Sequence, residues 1–520
     1  MTSGLLVDVT GGRVQGVVSR GLRFWRGIPY AAAPVGDRRL RAPRPVEPWV
    51  GVRDASEFGP VAPQDRRLLS SSSGSSDSQS EDCLTINVIA PATASDRLRP
   101  VMVYLHGGAY AVGSSQQMPS QGEGLVHDGG VVFVNLNYRL GALGYLDFTR
   151  YSTHERPFES NLGLRDQIAG LQWVRDNIAA FGGDPENVTL FGQSAGGNAV
   201  TTLMAVPSAA GLFARAISES SPVEAIYTPD LTAVWARDYL EILGAVMERP
   251  LVAEPTAAAA AELLDTATPN QLVIATARMM KQTPDRVPGT IALCPVVDGD
   301  LLPKRPLDAF ADGTAHRIPL IIGTNNREGS FFRGRLDILA STPSRIHAIM
   351  ARTPRAAAQR LARMYPRLSK PRAAADFAGD YSFWYPSVRA MEGHSRFAPT
   401  HAYRFDIAPR LTRMIGLDAT HGIELFAVFD LARNWYGRLM GVLGGYQDFE
   451  RTGRRMRANW LRFAENGTVD AGWPQYDEEH RRTLIIDAED RVESDPNRER
   501  REAWAQFVPH LFETQRADTI

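Results

Sequence analysis

The chain has 520 residues, and its 57 basic and 58 acidic side chains leave a net charge of −1. That balance argues against the basic surface of a nucleic-acid binder or a membrane-surface binder. Apolar residues make up 44% of the chain, ample for a large core, and no apolar run approaches the roughly 18 residues of a membrane-spanning helix.

Met1–Val7 shows no basic segment followed by a long apolar one and enters a strand-like pattern at once, so a cytoplasmic protein is expected. Residues 5–30 alternate strand-like stretches with glycine turns, which predicts an antiparallel ribbon. Residues 31–60 are rich in Pro and Gly and are expected to run over the surface. The run Ser70–Ser80 holds eight serines and predicts a mobile loop. From Leu84 onward strands and helices alternate. Val101–Leu105 and Val131–Asn135 are continuous apolar strands, as in a sheet buried on both faces. Asp166–Ala180 reads as a helix with Ile168, Leu171, Val174 and Ile178 on one face, stopped by Gly182-Gly183. Ala216–Ser218 and Leu320–Gly323 read as further buried strands. Residues 232–285 and 340–395 are mainly helical, interrupt the rhythm and are expected to form cap excursions above the sheet. The arginines around Arg451–Arg457 read as a helix's solvated face. Together these predict an α/β fold over residues 1–520 as one domain: a mainly parallel central sheet flanked by helices, with helical cap excursions. Cys83 and Cys294 lack metal-site spacing and are expected to be free, buried thiols in a reducing compartment.

The chemistry centres on Phe191-Gly192-Gln193-Ser194-Ala195-Gly196, directly after the apolar Val188-Thr189-Leu190. A strand running into Gly-x-Ser-x-Gly and then a helix start is the pattern of a nucleophile elbow, which exposes a serine on a strained turn. With 45 glycines in the chain, the bare pattern arises by chance roughly 0.3 times, so the partners of Ser194 must carry the argument. A serine needs a base, and the base needs an acid to orient it. In this fold the order is Ser, acid, His. Among the downstream histidines, His421 lies in a polar loop entering an apolar segment, with His401 in a strand-like stretch as the alternative. Glu328 follows the strand Leu320–Gly323, and Asp298 is the alternative acid. His106-Gly107-Gly108-Ala109 follows the strand Val101–Leu105 and predicts an oxyanion hole built from the N–H groups of Gly108, Ala109 and Ala195.

The chain resembles the type-B carboxylesterases, the family that includes bacterial p-nitrobenzyl esterases and cholinesterases. The resemblance covers nearly the whole chain. It is carried by Phe24–Ala31, Ser80–Leu84, Asn137–Gly141, Phe181–Pro185, Gly192–Gly196, Pro295–Gly299, Glu328-Gly329 and His421-Gly422. It implies ester hydrolysis by a triad of Ser194, Glu328 and His421, with Ser220 supporting the triad acid. Arg39 is implied to pair with Glu81, and Arg139 with Asp166. Phe331 and Phe332 match aromatic positions of the family's gorge, and Ile291 and Tyr227 complete the candidate pocket. Trp435 and Tyr436 could line the gorge or pack elsewhere. A small-molecule ester is the expected partner, with no metal or organic cofactor, no nucleic acid and no membrane. The chain is expected to be a monomer. A carbamate- or amide-hydrolysing relative and a non-catalytic binding relative are the competing readings; the intact Ser194, Glu328 and His421 argue against the second.

Three features depart from the family. Cys83 has no upstream cysteine to pair with, as secreted members have. The serine run holds no tryptophan to bind choline, which argues against a cholinesterase. Glu219-Ser220-Ser221 stands where Gln-Ser-Gly is usual, and no role for Glu219 follows from the sequence.

Overall fold

A computed structural model describes residues 5–69, 78–117, 121–251, 253–333, 336–431 and 441–513. Most of the serine run, and Trp435 and Tyr436, lie outside the described residues.

The N-terminal strands are β1 (Leu6–Val9), β2 (Gly12–Gln15), β3 (Val17–Ser19), β4 (Leu22–Pro29) and β5 (Val52–Asp54). Then come β6 (Thr85–Pro91), β7 (Arg99–Leu105), β8 (Val132–Leu136), β9 (Gly183–Gln193) and β10 (Arg215–Glu219). The series ends with β11 (Leu320–Asn325), β12 (Thr400–Phe405), β13 (Arg482–Ile486) and β14 (Arg491–Ser494). Strands β1, β2 and β5 form a small separate sheet, so the predicted N-terminal ribbon is split between two sheets. The large sheet has the order β14-β13-β12-β11-β10-β9-β7-β8-β6-β4-β3. It is parallel from β8 across to β13 and antiparallel only toward its edges.

The apolar strands bury both faces, as their unbroken hydrophobicity predicts. Along β7, Val101, Val103 and Leu105 enter one core, while Met102 and Tyr104 enter the other. The period-2 alternation of a strand thus divides one apolar run between two layers. The first layer is closed by the helix Leu162–Asn177, whose Ile168, Leu171 and Val174 are buried. This helix starts four residues earlier than the sequence suggests and tightens into a 3₁₀ turn over Ile178–Phe181 before Gly182 ends it in the left-handed region. The second layer is closed by the helix Tyr446–Asn466, with Trp460 at its centre.

The reading of Arg451–Arg457 as a solvated face holds for Arg451 and Arg454, which are exposed, but requires a correction for Arg457. Arg457 is buried, pairs with Asp128 at 2.7 Å and Asp430 at 3.2 Å, and donates to Ala427 O at 2.8 Å. Its charge is met by acids from two other segments.

Both excursions are helical. The first holds Pro229–Val246, Ala257–Thr266 and Pro269–Arg286. The second holds Pro343–Ala351, Arg355–Met364, Pro371–Gly379 and Tyr385–Ser395, with a π-helical turn over Asp380–Trp384. The two anticipated ion pairs form. Arg39 meets Glu81 at 2.8 and 2.5 Å. Arg139 grips Asp166 at 2.8 and 2.6 Å, and Asp166 also accepts the Arg139 backbone N–H at 3.0 Å.

The Arg139–Asp166 pair is almost wholly removed from water. Asp166→Ala leaves a buried guanidinium without its anion and is expected to destabilise the fold by about 3–5 kcal/mol. Chemical denaturation measures this directly. A loss within the roughly 1 kcal/mol of an exposed pair would contradict the burial argument.

Candidate active site

The C-terminal ends of β7, β9, β10 and β11 lie side by side, with Leu105 opposite Gly192, Gln193 opposite Glu219, and Glu219 opposite Gly323. Ser194 follows β9 directly and starts the helix Ala195–Leu203. Its backbone has φ 60° and ψ −124°, a conformation unfavourable for any residue with a side chain. Two backbone bonds fix it: Ser194 N–H donates to Glu219 O at 2.9 Å, and Ser194 O accepts from Asn198 N–H at 2.9 Å. The turn lies so close to β7 that a Cβ on Gly196 would meet Leu105 O at 2.0 Å, which explains the glycine there.

The loop after β7 lies against this turn. A Cβ on Gly107 would meet Gln193 O at 2.7 Å and Ser194 Cβ at 3.1 Å. Gly108, Ala109 and Tyr110 all have positive φ. Tyr110 Oη donates to Asn198 Oδ1 at 2.7 Å, fastening the loop to the serine helix. His106 stacks on Tyr138 at 4.3 Å, and burial lowers its pKa to about 4, so it stays neutral. The N–H groups of Gly108, Ala109 and Ala195 make no hydrogen bond among the described residues.

Glu328 and His421 come together. His421 Nδ1 lies 2.6 Å from Glu328 Oε2, and both side chains are buried. Glu328 Oε1 accepts the Asn325 backbone N–H at 2.6 Å. The two loops are joined by Arg327 N–H to Ala419 O at 3.0 Å, Asn325 Nδ2 to Thr420 O at 2.8 Å and Ser330 Oγ to Thr420 Oγ1 at 2.8 Å. His421 Nε2 meets Gln193 Nε2 at 3.2 Å, which places the imidazole against the residue preceding Ser194.

The alternatives lie elsewhere. His401 sits inside β12 opposite Ile321, with its ring against Trp473 at 5.6 Å. Asp298 is taken up by Ser160 Oγ at 2.6 Å, Asn161 Nδ2 at 2.7 Å and two backbone N–H groups.

Ser220 requires a correction. Its Oγ donates to Glu424 Oε1 at 2.9 Å and not to Glu328. Asn325 Nδ2 donates to the other oxygen of Glu424. Ser220 therefore supports a second buried carboxyl, and Asn325 bonds to both this one and Glu328. Glu424 was overlooked in the sequence, although it is an acid among apolar residues three positions after His421. Burial, followed by the charge of Glu328, raises its pKa to about 6.

Glu219 is a third buried carboxyl. Its Oε1 accepts from Trp460 Nε1 at 2.7 Å, and its Oε2 has no partner among the described residues. Burial, then the charge of Glu424, pushes its pKa well above the usual carboxylate range.

Of the pocket candidates, Phe332 and Phe331 face His421, with ring centroids 5.2 and 6.2 Å away. Phe383, missed in the sequence, is closer at 4.6 Å. It is placed by the π-helical turn, which the residue pattern does not reveal. Tyr227 and Ile291 contact each other, the Tyr227 oxygen accepting Ile291 N–H at 2.8 Å. Neither makes a hydrogen bond or ring contact to Ser194, Glu328 or His421 among the described residues. No cluster of metal-binding side chains occurs among the described residues. No helix among them is long and apolar enough to cross a membrane.

Residues 3–504 match the carboxylesterase family. The chain belongs to the carboxylesterase family. It is 38% identical over 501 residues to the para-nitrobenzyl esterase of Bacillus subtilis, covering 96% of this chain and 98% of that one. It is 32% identical to human carboxylesterase 3, covering 96% of this chain and 90% of that one. A solved PNB esterase structure aligns with a TM-score of 0.84 at 35% identity, over 96% of this chain and 99% of that one. A Geobacillus stearothermophilus carboxylesterase aligns with a TM-score of 0.80 at 30% identity, over 96% of this chain and all of the other. The fold is that of the α/β-hydrolases, and this carboxylesterase is a carboxylic ester hydrolase.

The raised pKa of Glu219 predicts a pH-dependent stability. A carboxyl whose pKa rises on folding stabilises the fold fully below its unfolded value of about 4.3, and loses that contribution as pH rises through the folded value. Glu219→Gln keeps the acceptor for Trp460 and cannot ionise. It is expected to match the parent near pH 4 and to gain relative stability as pH rises. Urea midpoints across that range measure the difference; parallel pH curves would contradict it.

Proposed function

We propose that this carboxylesterase works by nucleophilic catalysis, with Ser194 as nucleophile, His421 as general base and Glu328 as the acid that orients it. The observation carrying this reading is the 2.6 Å contact of buried Glu328 with His421 Nδ1, on a ring whose other nitrogen faces the Ser194 turn. With its proton held on Nδ1 by the carboxylate, the imidazole presents an Nε2 lone pair for the serine proton. The free N–H groups of Gly108, Ala109 and Ala195 form the oxyanion hole in this reading, and the dipole of the helix Ala195–Leu203 favours the same charge. Ser194 Oγ attacks the carbonyl and its proton passes to His421. The alcohol leaves with that proton, and water then cleaves the acyl-enzyme by the same route. The reading takes residues 1–520 as one monomeric catalytic unit acting on small esters. It places the enzyme in the cytoplasm, where Cys83 and Cys294 remain free thiols.

Ser194→Ala is expected to reduce turnover by several orders of magnitude, because triad members act as a unit. An organophosphate should modify the parent enzyme once, on Ser194, as read by peptide mass spectrometry. His421→Ala should be inactive and His401→Ala active. Modification at another residue, or near-parent turnover in Ser194→Ala, would refute the assignment.

The acyl preference follows from the walls of the site. Residues 288–293 hold no aromatic ring, while Phe331, Phe332 and Phe383 keep the surroundings of His421 apolar. Each acyl methylene buried in the transition state contributes up to about 0.8 kcal/mol, or roughly fourfold in kcat/KM. p-Nitrophenyl butyrate should therefore exceed the acetate, with long chains falling off beneath the cap. A steady decline from acetate upward would contradict this.

A further inference from the structure

We propose that Gln193 is a working partner of the catalytic base. Its amide donates to His421 Nε2 before reaction, and turns to accept from the same nitrogen once it is protonated. This rests on the reading of His421 as base given above.

The ring of His421 has two nitrogens, and the structure gives each a neighbour. Nδ1 faces the carboxylate of Glu328 at 2.6 Å, and Nε2 faces the Gln193 amide at 3.2 Å. A carboxylate only accepts, so the single proton of a neutral imidazole belongs on Nδ1. Nε2 then offers a lone pair, and only the NH₂ end of the Gln193 amide can bond to it. No hydrogen bond joins Ser194 Oγ to His421 Nε2 among the described residues. The atom that must receive the serine proton is thus engaged by the residue immediately before the serine.

Gln193 is well held for this role. It is the last residue of β9, it pairs in register with Glu219, and its side chain is buried. The loop of the proposed oxyanion hole closes over it: a Cβ on Gly107 would come within 3.2 Å of Gln193 Oε1.

The reaction changes what Nε2 needs. As the bond from Ser194 Oγ to the carbonyl carbon forms, the O–H bond breaks and its proton goes to Nε2, while the C=O π pair moves onto the carbonyl oxygen. Nε2 becomes a donor, and an NH₂ group facing it would set two donors against each other. A half-turn about the last side-chain bond presents Oε1 in its place, which accepts the new N–H. An amide can serve both states. A carboxylate would serve only the charged state and would hold the proton there, whereas an apolar side chain would serve neither.

The test uses Gln193→Glu and Gln193→Met in the full chain, with two readouts. One is the pH dependence of kcat/KM for p-nitrophenyl acetate. The other is NMR titration of the histidine Cε1 protons, with the His421 signal identified by its loss in His421→Ala. In Gln193→Glu the new carboxylate stabilises the charged ring, so both midpoints should move up by about 1–3 pH units. On the rising limb, kcat/KM should fall about tenfold for every pH unit by which the midpoint moves. In Gln193→Met both states lose their partner, and the bond to the charged ring is the stronger, so the midpoints should fall by less than about one pH unit and the alkaline plateau should drop about fivefold. The methionine variant is uncharged and near in size, so it carries the test if a buried glutamate prevents folding. Parent midpoints and plateau in the variants, with Ser194 still modified by organophosphate, would overturn the proposal and leave the esterase mechanism standing. Failure of the parent Ser194 to react would overturn both.

Discussion

The strained backbone of Ser194 is the constraint around which the site is built. A positive φ at a residue with a side chain costs on the order of 1–3 kcal/mol and persists only where the surroundings over-determine it. Here they do. The register of β9 against β7 and β10 fixes the strand up to Gln193, and the backbone bonds to Glu219 and Asn198 fix the first turn of the helix. The contact of Gly196 with Leu105 O leaves the turn no room to relax toward β7. The loop over Gly107–Tyr110 is packed on this turn, so its own run of positive φ is held by the same contacts. Strain in one segment is thus stabilised by the sheet and passed to the next.

Behind the serine lie three buried carboxyls, distinguished by their hydrogen bonds. Glu328 has a partner on each oxygen, a backbone N–H and the imidazole. Glu424 also has two, from Ser220 and Asn325, yet its pKa is raised by burial beside Glu328. Glu219 has only the Trp460 indole and is driven furthest toward its neutral form. Carboxylates packed together without a cation cannot all ionise. Glu219, with one partner, is driven further toward neutrality than Glu424, with two. Asn325 links the first two members by donating to both Glu328 and Glu424.

Much of this was legible in the sequence for physical reasons. Continuous apolar runs such as Val101–Leu105 can be satisfied only in a sheet covered on both faces, and the glycines around Ser194 mark where backbones approach. The choice of His421 over His401 also follows from position, since a histidine inside a strand faces a packed layer and one in a loop can face a site. The illegible parts depend on side chains meeting across long separations. Ser220 reaches Glu424 over 204 positions, and Trp460 reaches Glu219 over 241. Arg457 reads as solvated because it stands in a run of arginines, while its acids, Asp128 and Asp430, come from other segments. The motif displays Gln193 openly, but nothing local shows which nitrogen its amide meets.

The second helical excursion also supports Glu328. Gly329 lies so close to the helix Pro371–Gly379 that an added Cβ would meet Ala375 O at 1.8 Å, so this helix seats the turn that carries Glu328. Arg327, next to Glu328, pairs with Asp376 of that helix at 2.7 Å and with Asp418 of the His421 loop at 2.5 Å. One guanidinium therefore joins the second helical excursion, the Glu328 loop and the His421 loop. The π-helical turn that follows brings Phe383 onto the imidazole. A displacement of this helix would move Glu328 and the apolar wall of His421 together. The loops at the strand ends carry Glu328 and His421, and the second excursion helps to hold them at hydrogen-bonding distance.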